Sequence, residues 1–277
     1  MPTDNPLNEL TLGKATLYPE QYNAHLLDSV PRSLNRKDIG IEEHQLPFVG
    51  VDTWTAFEVS WLNSRGLPQV AIAEFDVPAL SPYLIESKSF KLYLNSFNQH
   101  RLSSWAKLEN ILQQDLSHCA KAPVTVRLYS LADYAQHGIA QPRGISLDQQ
   151  DISIDNYNYD ATQLKLKSNS IVTETIFSDL LKSNCLITNQ PDWGTVEIFY
   201  QGPALCHKSV LRYVVSYRNH NEFHEQCVER IFMDIMQLAQ PAQLSVQARY
   251  TRRGGLDINP WRSTCNKVQP LARTVRQ

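Results

Sequence analysis

Neither a G-x-G-x-x-G nor a G-x-x-x-x-G-K-[ST] occurs in this chain. A Rossmann domain and a P-loop are excluded on that ground, so any nicotinamide cofactor has to be held by another kind of site, such as basic side chains meeting its phosphates. No C-x-x-C pair occurs either, and the five cysteines (Cys119, Cys185, Cys206, Cys227 and Cys265) are odd in number and widely spaced. That argues against a disulfide framework and against a zinc knuckle, and leaves five reduced thiols. No window approaches the roughly 18 apolar residues of a membrane span, and the first residues carry charge and proline where a signal peptide has an apolar core. The expected location is the cytosol. Neither sign of charge dominates: 26 Lys and Arg stand against 28 Asp and Glu, a formal net charge of −2. Nothing therefore points to direct binding of nucleic acid or of an anionic membrane, and a small molecule is the expected partner.

What is present is patterning, in a chain of 277 residues, long enough for one large domain or two ordinary ones. Phe57, Val59 and Trp61 alternate with polar neighbours as a half-buried strand does, and after the turn signal Asn63-Ser64-Arg65-Gly66 a second run begins at Val70 and Ile72, which predicts a hairpin. Leu102, Trp105, Leu108, Ile111, Leu112 and Leu116 share one face of a helix, and Val124, Val126 and Leu128 alternate again. The second half repeats the order: a strand at Val196, Ile198 and Tyr200, a helical face through Phe223, Cys227, Ile231, Ile235 and Leu238, and a strand from Leu244 to Tyr250.

An internal repeat follows from this. Lys88-Ser89-x-x-x-Tyr93-x-x-Ser96-Phe97-x-x-His100 aligns without gaps on Lys208-Ser209-x-x-x-Tyr213-x-x-Ser216-Tyr217-x-x-His220 at an offset of 120, and Trp54-x-x-x-Glu58 matches Trp193-x-x-x-Glu197 at an offset of 139. We expect an α+β chain with an N-terminal extension (1–45), a first module (46–140), a polar linker (141–168) and a second module (169–277).

Four stretches have the residue types that chemistry needs. Ile85-Glu86-Ser87-Lys88-Ser89-Phe90-Lys91 sets two lysines and hydroxyls around one carboxylate, which suits phosphate as well as it suits a solvated charged face. Cys185 sits in a polar loop with Asp192 seven residues on, the makings of a thiolate nucleophile with a proton carrier, or of a packed cysteine and a turn aspartate. Phe223-His224-Glu225 opens the second helix, either to recognise the donor edge of a purine-like ring or simply to cap the helix. Arg252-Arg253-Gly254-Gly255 follows a strand, as a phosphate grip or a plain turn. His207, beside Cys206, with His220 and His224 downstream, invites a metal reading, but the paired spacing of a closed zinc site is missing and no metal is expected.

Taken together, Glu86 to Lys91, the Cys185-x6-Asp192 loop, Phe223-His224-Glu225 and the run Arg252 to Pro260 (R-R-G-G-L-D-I-N-P) resemble the 7-cyano-7-deazaguanine reductases in their long, two-module form. The resemblance covers nearly the whole chain. It implies tandem tunnelling-fold (T-fold) modules, each an antiparallel sheet backed by helices, working as a homodimer. It implies NADPH-dependent reduction of a deazapurine nitrile to a primary amine, without metal, in queuosine biosynthesis. Cys185 would form a thioimide and Asp192 would move protons. Ile85, Glu86, Ser87, Phe223, His224 and Glu225 would hold the substrate. Ser87 and Lys88, with Arg253 and Gly254 from the other module, would bind NADPH. A sister class, the zinc-dependent GTP cyclohydrolases, needs two cysteines and a histidine on one metal, whereas the Cys185 loop offers one cysteine. The same residue types would also suit a non-catalytic purine-binding scaffold, or a cysteine hydrolase that releases ammonia and a carboxylate.

Overall fold

The computed structural model describes residues 19, 21–42, 44–265, 270 and 272–277; the rest of the expected extension lies outside them. In chain order the elements are β1 (Ser29–Pro31), α1 (Ser33–Arg36), β2 (Val49–Leu62), β3 (Pro68–Pro78), β4 (Tyr83–Ile85), α2 (Ser87–Asn95), α3 (Trp105–Ala120), β5 (Thr125–Tyr129), α4 (Leu131–Ala135), β6 (Ile145–Ser146), β7 (Leu166–Asn184), β8 (Pro191–Leu205), α5 (His207–Ser216), α6 (His224–Ala239), β9 (Gln243–Tyr250) and β10 (Leu256–Ser263). The class is α+β, with antiparallel sheets backed by helices. Among the described residues no helix is long and apolar enough to cross a membrane.

Two compact units divide the chain. One holds residues up to 44, 53–138 and 253–257; the other holds 45–52, 139–252 and 258–277. In the first unit the strand order is β5-β3-β2, with β1 paired to β4. In the second it is β10-β9-β8-β7-β6, antiparallel except where β6 runs parallel to β7. The segment expected as a linker thus contributes β6 to the second unit.

The first core forms because α2 and α3 place apolar residues at helical spacing. Phe90 packs edge-on to Trp54 and Phe75, with centroids 5.4 and 5.0 Å away, and Leu108, Leu112 and Leu116 of α3 are fully buried. Burying one such side chain is worth about 1.5–3 kcal/mol. In the second unit Val210 and Val214 of α5 and Ile231 and Ile235 of α6 do the same work. Both long helices start later than the apolar pattern suggests. Ser104 caps α3 by accepting the N–H of Lys107, and Leu102 instead donates its N–H to Leu62 O at 2.8 Å. The helices end where Lys121 and Gln240 turn left-handed.

The repeat at an offset of 120 is structural, and its shared residues are hydrogen-bonding clasps. Ser89 Oγ accepts the N–H of Asp28 at 2.9 Å, and Ser209 Oγ that of Lys165 at 3.0 Å. The Tyr93 hydroxyl donates to Asp115 at 2.6 Å and that of Tyr213 to Asp234 at 2.5 Å. Tyr22 and Tyr159 donate to the same two carboxylates at 2.7 and 2.8 Å. Residues 22–28 and 159–165 therefore play one role in their respective units, although from sequence they fall in an extension and a linker. The second expected match is corrected. Trp54 and Glu58 lie on β2 but Trp193 and Glu197 on β8, and the order β5-β3-β2 makes β7, not β8, the counterpart of β2.

Candidate active site

Cys185 opens the loop of the β7–β8 hairpin, and the loop closes on it: its N–H donates to Gln190 O at 2.8 Å and its O accepts the N–H of Asn189 at 3.0 Å. Asn189 takes a left-handed φ of 56°, which asparagine tolerates better than most residues. Asn221 anchors the loop from outside, donating to Asn189 Oδ1 and accepting from Asn184, both at 3.1 Å. Asp192, the second residue of β8, faces Ser183 across the ladder. Cross-strand partners share a face of the sheet, so Ser183 and Asp192 point the same way. Cys185, Ser183 and Asp192 are all buried.

The start of α6 meets that face. Phe223 occupies the cap position and donates its N–H to Gln226 Oε1 at 3.4 Å, so His224 and Glu225 fall in the first turn. His224 Nε2 lies 3.5 Å from Asp192 Oδ1, and its ring stands edge-on to Tyr250 with centroids 4.1 Å apart. Glu225 is buried. Beneath, Glu222 is gripped by Arg230 at 2.6 Å and by His220 Nε2 at 3.0 Å. Burial pushes the Glu222 carboxyl up, but the hydrogen bonds from His220 and Arg230 and the charge of Arg230 outweigh it and hold it below the usual range. Glu222 also donates its N–H to Asn184 O at 3.1 Å, tying this buried ion pair to the residue before the thiol.

In the other unit, Glu86 caps α2 with its own carboxylate, accepting Lys88 N–H at 2.8 Å and Ser89 N–H at 2.7 Å. Burial pushes its pKa up against the pull of those two bonds. Ile85 is buried before it, and Ser87 and Lys88 are half-buried at the first turn. Residues 253–257 group with this unit, although by sequence position Arg253 and Gly254 fall in the second module. Phe57 donates its N–H to Gly255 O at 2.8 Å. Gly254, at a φ of 56°, lies against Lys91: a Cβ there would sit 3.4 Å from Lys91 Cδ. The structure thus brings Ile85, Glu86, Ser87, Lys88, Arg253 and Gly254 into one unit and Cys185, Asp192, Phe223, His224 and Glu225 into the other.

Sequence reasoning passed over Ser183, Asn189, Asn221, Glu222, Arg230 and Tyr250. Of these, only Asn221 and Glu222 adjoin residues that the sequence singled out, His220 and Phe223; Arg230 and Tyr250 read as ordinary helix and strand residues. His207, unassigned from sequence, pairs with Glu174 at 3.2 Å. Among the described residues no group of three His, Cys, Asp or Glu is placed to hold a metal.

Two family profiles match. One, described as "Nitrile reductase, 7-cyano-7-deazaguanine-reductase N-term", covers residues 18–128. The other, described as "QueF-like protein", covers residues 191–269. A solved structure, the archaeosine synthase QueF-Like in the apo form, is similar over 35% of this chain and 95% of its own, at 21% identity and a TM-score of 0.30.

Proposed function

Because the chain belongs to the 7-cyano-7-deazaguanine reductase family of nitrile reductases, we propose that it reduces the nitrile of 7-cyano-7-deazaguanine to a primary amine, using NADPH and a covalent bond to Cys185. The observation that supports this most directly is that Cys185 opens the hairpin loop from which Asp192 leads out on β8, with the Asp192 carboxylate buried against His224. A nucleophile and a proton carrier held on one hairpin are the arrangement that thiol addition requires.

On this reading the sulfur of Cys185 attacks the nitrile carbon. A C–S bond forms, one π bond of the C≡N breaks, and the proton leaving the thiol reaches the nitrogen by way of Asp192, giving a thioimide. Its C=N accepts hydride far more readily than the triple bond. When bound, NADPH supplies hydride twice, first to the thioimide carbon and then to the imine left after the C–S bond breaks and the thiol is restored. Asp192 delivers a proton to nitrogen at each stage, and His224, 3.5 Å away, steadies whichever charge Asp192 carries.

Phe223, His224 and Glu225, with Ile85 and Glu86, hold the deazapurine. Carboxylates match the amine and ring N–H donors of its guanine-like edge, and Glu86 Oε2 retains a lone pair beyond the Ser89 N–H it accepts. Ser87, Lys88, Arg253 and Gly254 fit a phosphate-bearing cofactor. The side chains supply cationic and hydroxyl donors, and the exposed left-handed Gly254 lets an anion approach its backbone. The enzyme acts as a cytosolic homodimer on a free base in queuosine biosynthesis, with no direct contact to nucleic acid or membrane.

The test is NADPH consumption, followed by absorbance, with 7-cyano-7-deazaguanine as substrate and metals chelated, for wild type and Cys185→Ala. Two NADPH consumed per amine, with turnover lost in the variant, is the expected result. A folded wild type that consumes no NADPH, or a variant that still turns over, overturns the proposal.

A further inference from the structure

Two hydroxyls beside Asp192 have no evident structural use. Ser183 Oγ and Tyr250 OH are fully buried and interact with each other and with the thiol of Cys227, but among the described residues neither has a hydrogen-bond partner of good geometry. Burying a polar atom without a good partner is costly, and native structures hold few of them. Ser183 is the cross-strand partner of Asp192, and Tyr250 is the partner of Gly194, two residues further on. Gly194 is what admits the ring: a Cβ there would lie 3.1 Å from Tyr250 Cδ1. The two hydroxyl-bearing residues, Asp192 and His224 thus gather on one face.

The other unit shows that the scaffold does not need the Ser183 hydroxyl or the Cys227 thiol. Asn184 and Leu62 hold equivalent places, donating their N–H groups to His220 O and His100 O at 2.8 and 2.9 Å, so Ser183 corresponds to Trp61. His224 and Trp105 are the first residues of α6 and α3, so Cys227 corresponds to Leu108. Trp61 and Leu108 are fully buried, and Trp61 packs edge-on to Trp105 at 5.0 Å. Where one copy fills the space with carbon, the copy that carries Cys185 keeps hydrogen-bonding atoms.

We propose that Ser183 and Tyr250 are positioning residues for Asp192, a buried hydroxyl pair that sets how readily its carboxyl takes up and releases protons during nitrile reduction. A hydroxyl donates to a carboxylate and accepts from a carboxylic acid, so rotating about its C–O bond lets it serve both states. Burial keeps the Tyr250 phenol and the Cys227 thiol neutral, so neither competes for the proton. Among the described residues the titratable groups nearest Asp192 on this face are His224 from α6 and Tyr250 from β9, with Cys227 and Glu222 of the α6 region behind them, while Lys182, on the opposite face of β7, acts on Asp192 only through its charge.

This inference rests on the proposed reaction, so it is tested in two ways. Infrared pH titration of the Asp192 carboxyl, assigned by difference from Asp192→Asn, is compared in wild type, Ser183→Ala, Ser183→Thr and Tyr250→Phe. The pH profile of kcat is recorded for the same proteins except Asp192→Asn. Ser183→Ala and Tyr250→Phe shift the Asp192 titration by about one unit and lower kcat about 10-fold with its pH profile displaced, whereas Ser183→Thr, which keeps the hydroxyl, behaves as wild type. An Asp192 titration and a kcat profile unmoved in both hydroxyl-less variants, or a drop in kcat equal at every pH, overturns the inference. If the wild type consumes no NADPH, the proposed function fails and the infrared titration decides this inference alone. Should Tyr250→Phe not fold, Ser183→Ala decides it.

Discussion

The two units build the same scaffold and finish it differently. In both, a hairpin leads to a short helix clasped by a serine and a tyrosine, then to a long helix and a returning strand. The differences gather at the hairpin tip and the start of the long helix. Asn63 opens the first loop, donating its N–H to Leu67 O, where Cys185 opens the second, donating to Gln190 O. Trp61 and Trp105 face each other in one copy, and Ser183 and His224 hold those places in the other. Leu102 and Ile111 stand where the second copy buries Glu222 against Arg230. At the short helix the asymmetry reverses, for Glu86 caps α2 with its side chain while Cys206 leaves α5 without a side-chain cap. Duplication thus preserved what folding needs and freed, in each copy, the positions that folding can spare.

The largest effect belongs to the hairpin tip. Cys185→Ala is expected to lower turnover by about three orders of magnitude or more, as loss of a covalent nucleophile does, while leaving thermal stability within about 1 kcal/mol of wild type, since one sulfur is removed. Steady-state NADPH consumption and a thermal melt on the same preparation check both halves. Loss of activity accompanied by unfolding would place Cys185 with the scaffold and dissolve the contrast with Asn63.

Next comes the buried ion pair. Glu222→Leu or Arg230→Ile alone leaves a buried charge uncompensated and is expected to cost about 3–5 kcal/mol. The double substitution copies the other unit and is expected to cost less than either single one. The pH dependence has a definite sign. The native Glu222 carboxyl lies below its ordinary 4.5, so its stabilisation is complete above that value and is lost as pH falls through the lower native one. The double variant should therefore lose less stability than wild type on acidification below about pH 4.5, which urea titrations at several pH values would show. Equal losses would mean that acid unfolding starts elsewhere.

A smaller effect separates the two caps. Glu86→Ala is expected to destabilise the protein by about 0.5–2 kcal/mol through the lost cap alone, and Cys206→Ser to stabilise it by up to about 1 kcal/mol by supplying an acceptor to α5. Denaturant midpoints measure both. If Cys206→Ser destabilised, the thiol would have a role that cap geometry does not show.

Much of this was legible in the sequence because burial imposes periodicity. The hairpin at Asn63, the faces of α3 and α6 and the strands β5 and β9 all carry alternation or 3.6-residue spacing. The strand β7 went unseen because its outer half, from Lys167 to Ser170, is exposed and so carries no apolar alternation. The helices α2 and α5 are short, and their defining residues are hydroxyls that clasp backbone, a pattern visible only once both copies are compared. Trp54 and Trp193 misled because two residues at equal spacing say nothing about which strand of a module they occupy. At the site, residues whose type announces reactivity (Cys185, Asp192 and His224) stood out. Those that act by position, such as Ser183, Tyr250 and Glu222, did not, since their meaning depends on what faces them across a ladder or a helix turn.

The smallest effect tests the comparison from its inert side. Asn63 holds its loop with Oδ1, which accepts the N–H groups of Arg65 at 2.9 Å and Leu67 at 3.0 Å, and Gly66 completes the turn at a φ of 85°. Asn63→Ala removes two exposed hydrogen bonds, so it is expected to cost about 1 kcal/mol or less and to change turnover by less than about twofold. Asn63→Cys, which installs a thiol at the place Cys185 holds, is expected to add no second covalent site. Behind it stand Trp61 and Trp105 rather than Ser183 and His224, and Gln69, not Asp192, is the second residue of the following strand. Mass spectrometry of this variant after incubation with the nitrile decides the matter: one adduct per chain keeps the comparison intact. Two would show that the hairpin tip alone, without the acid and imidazole behind it, is enough to activate a thiol.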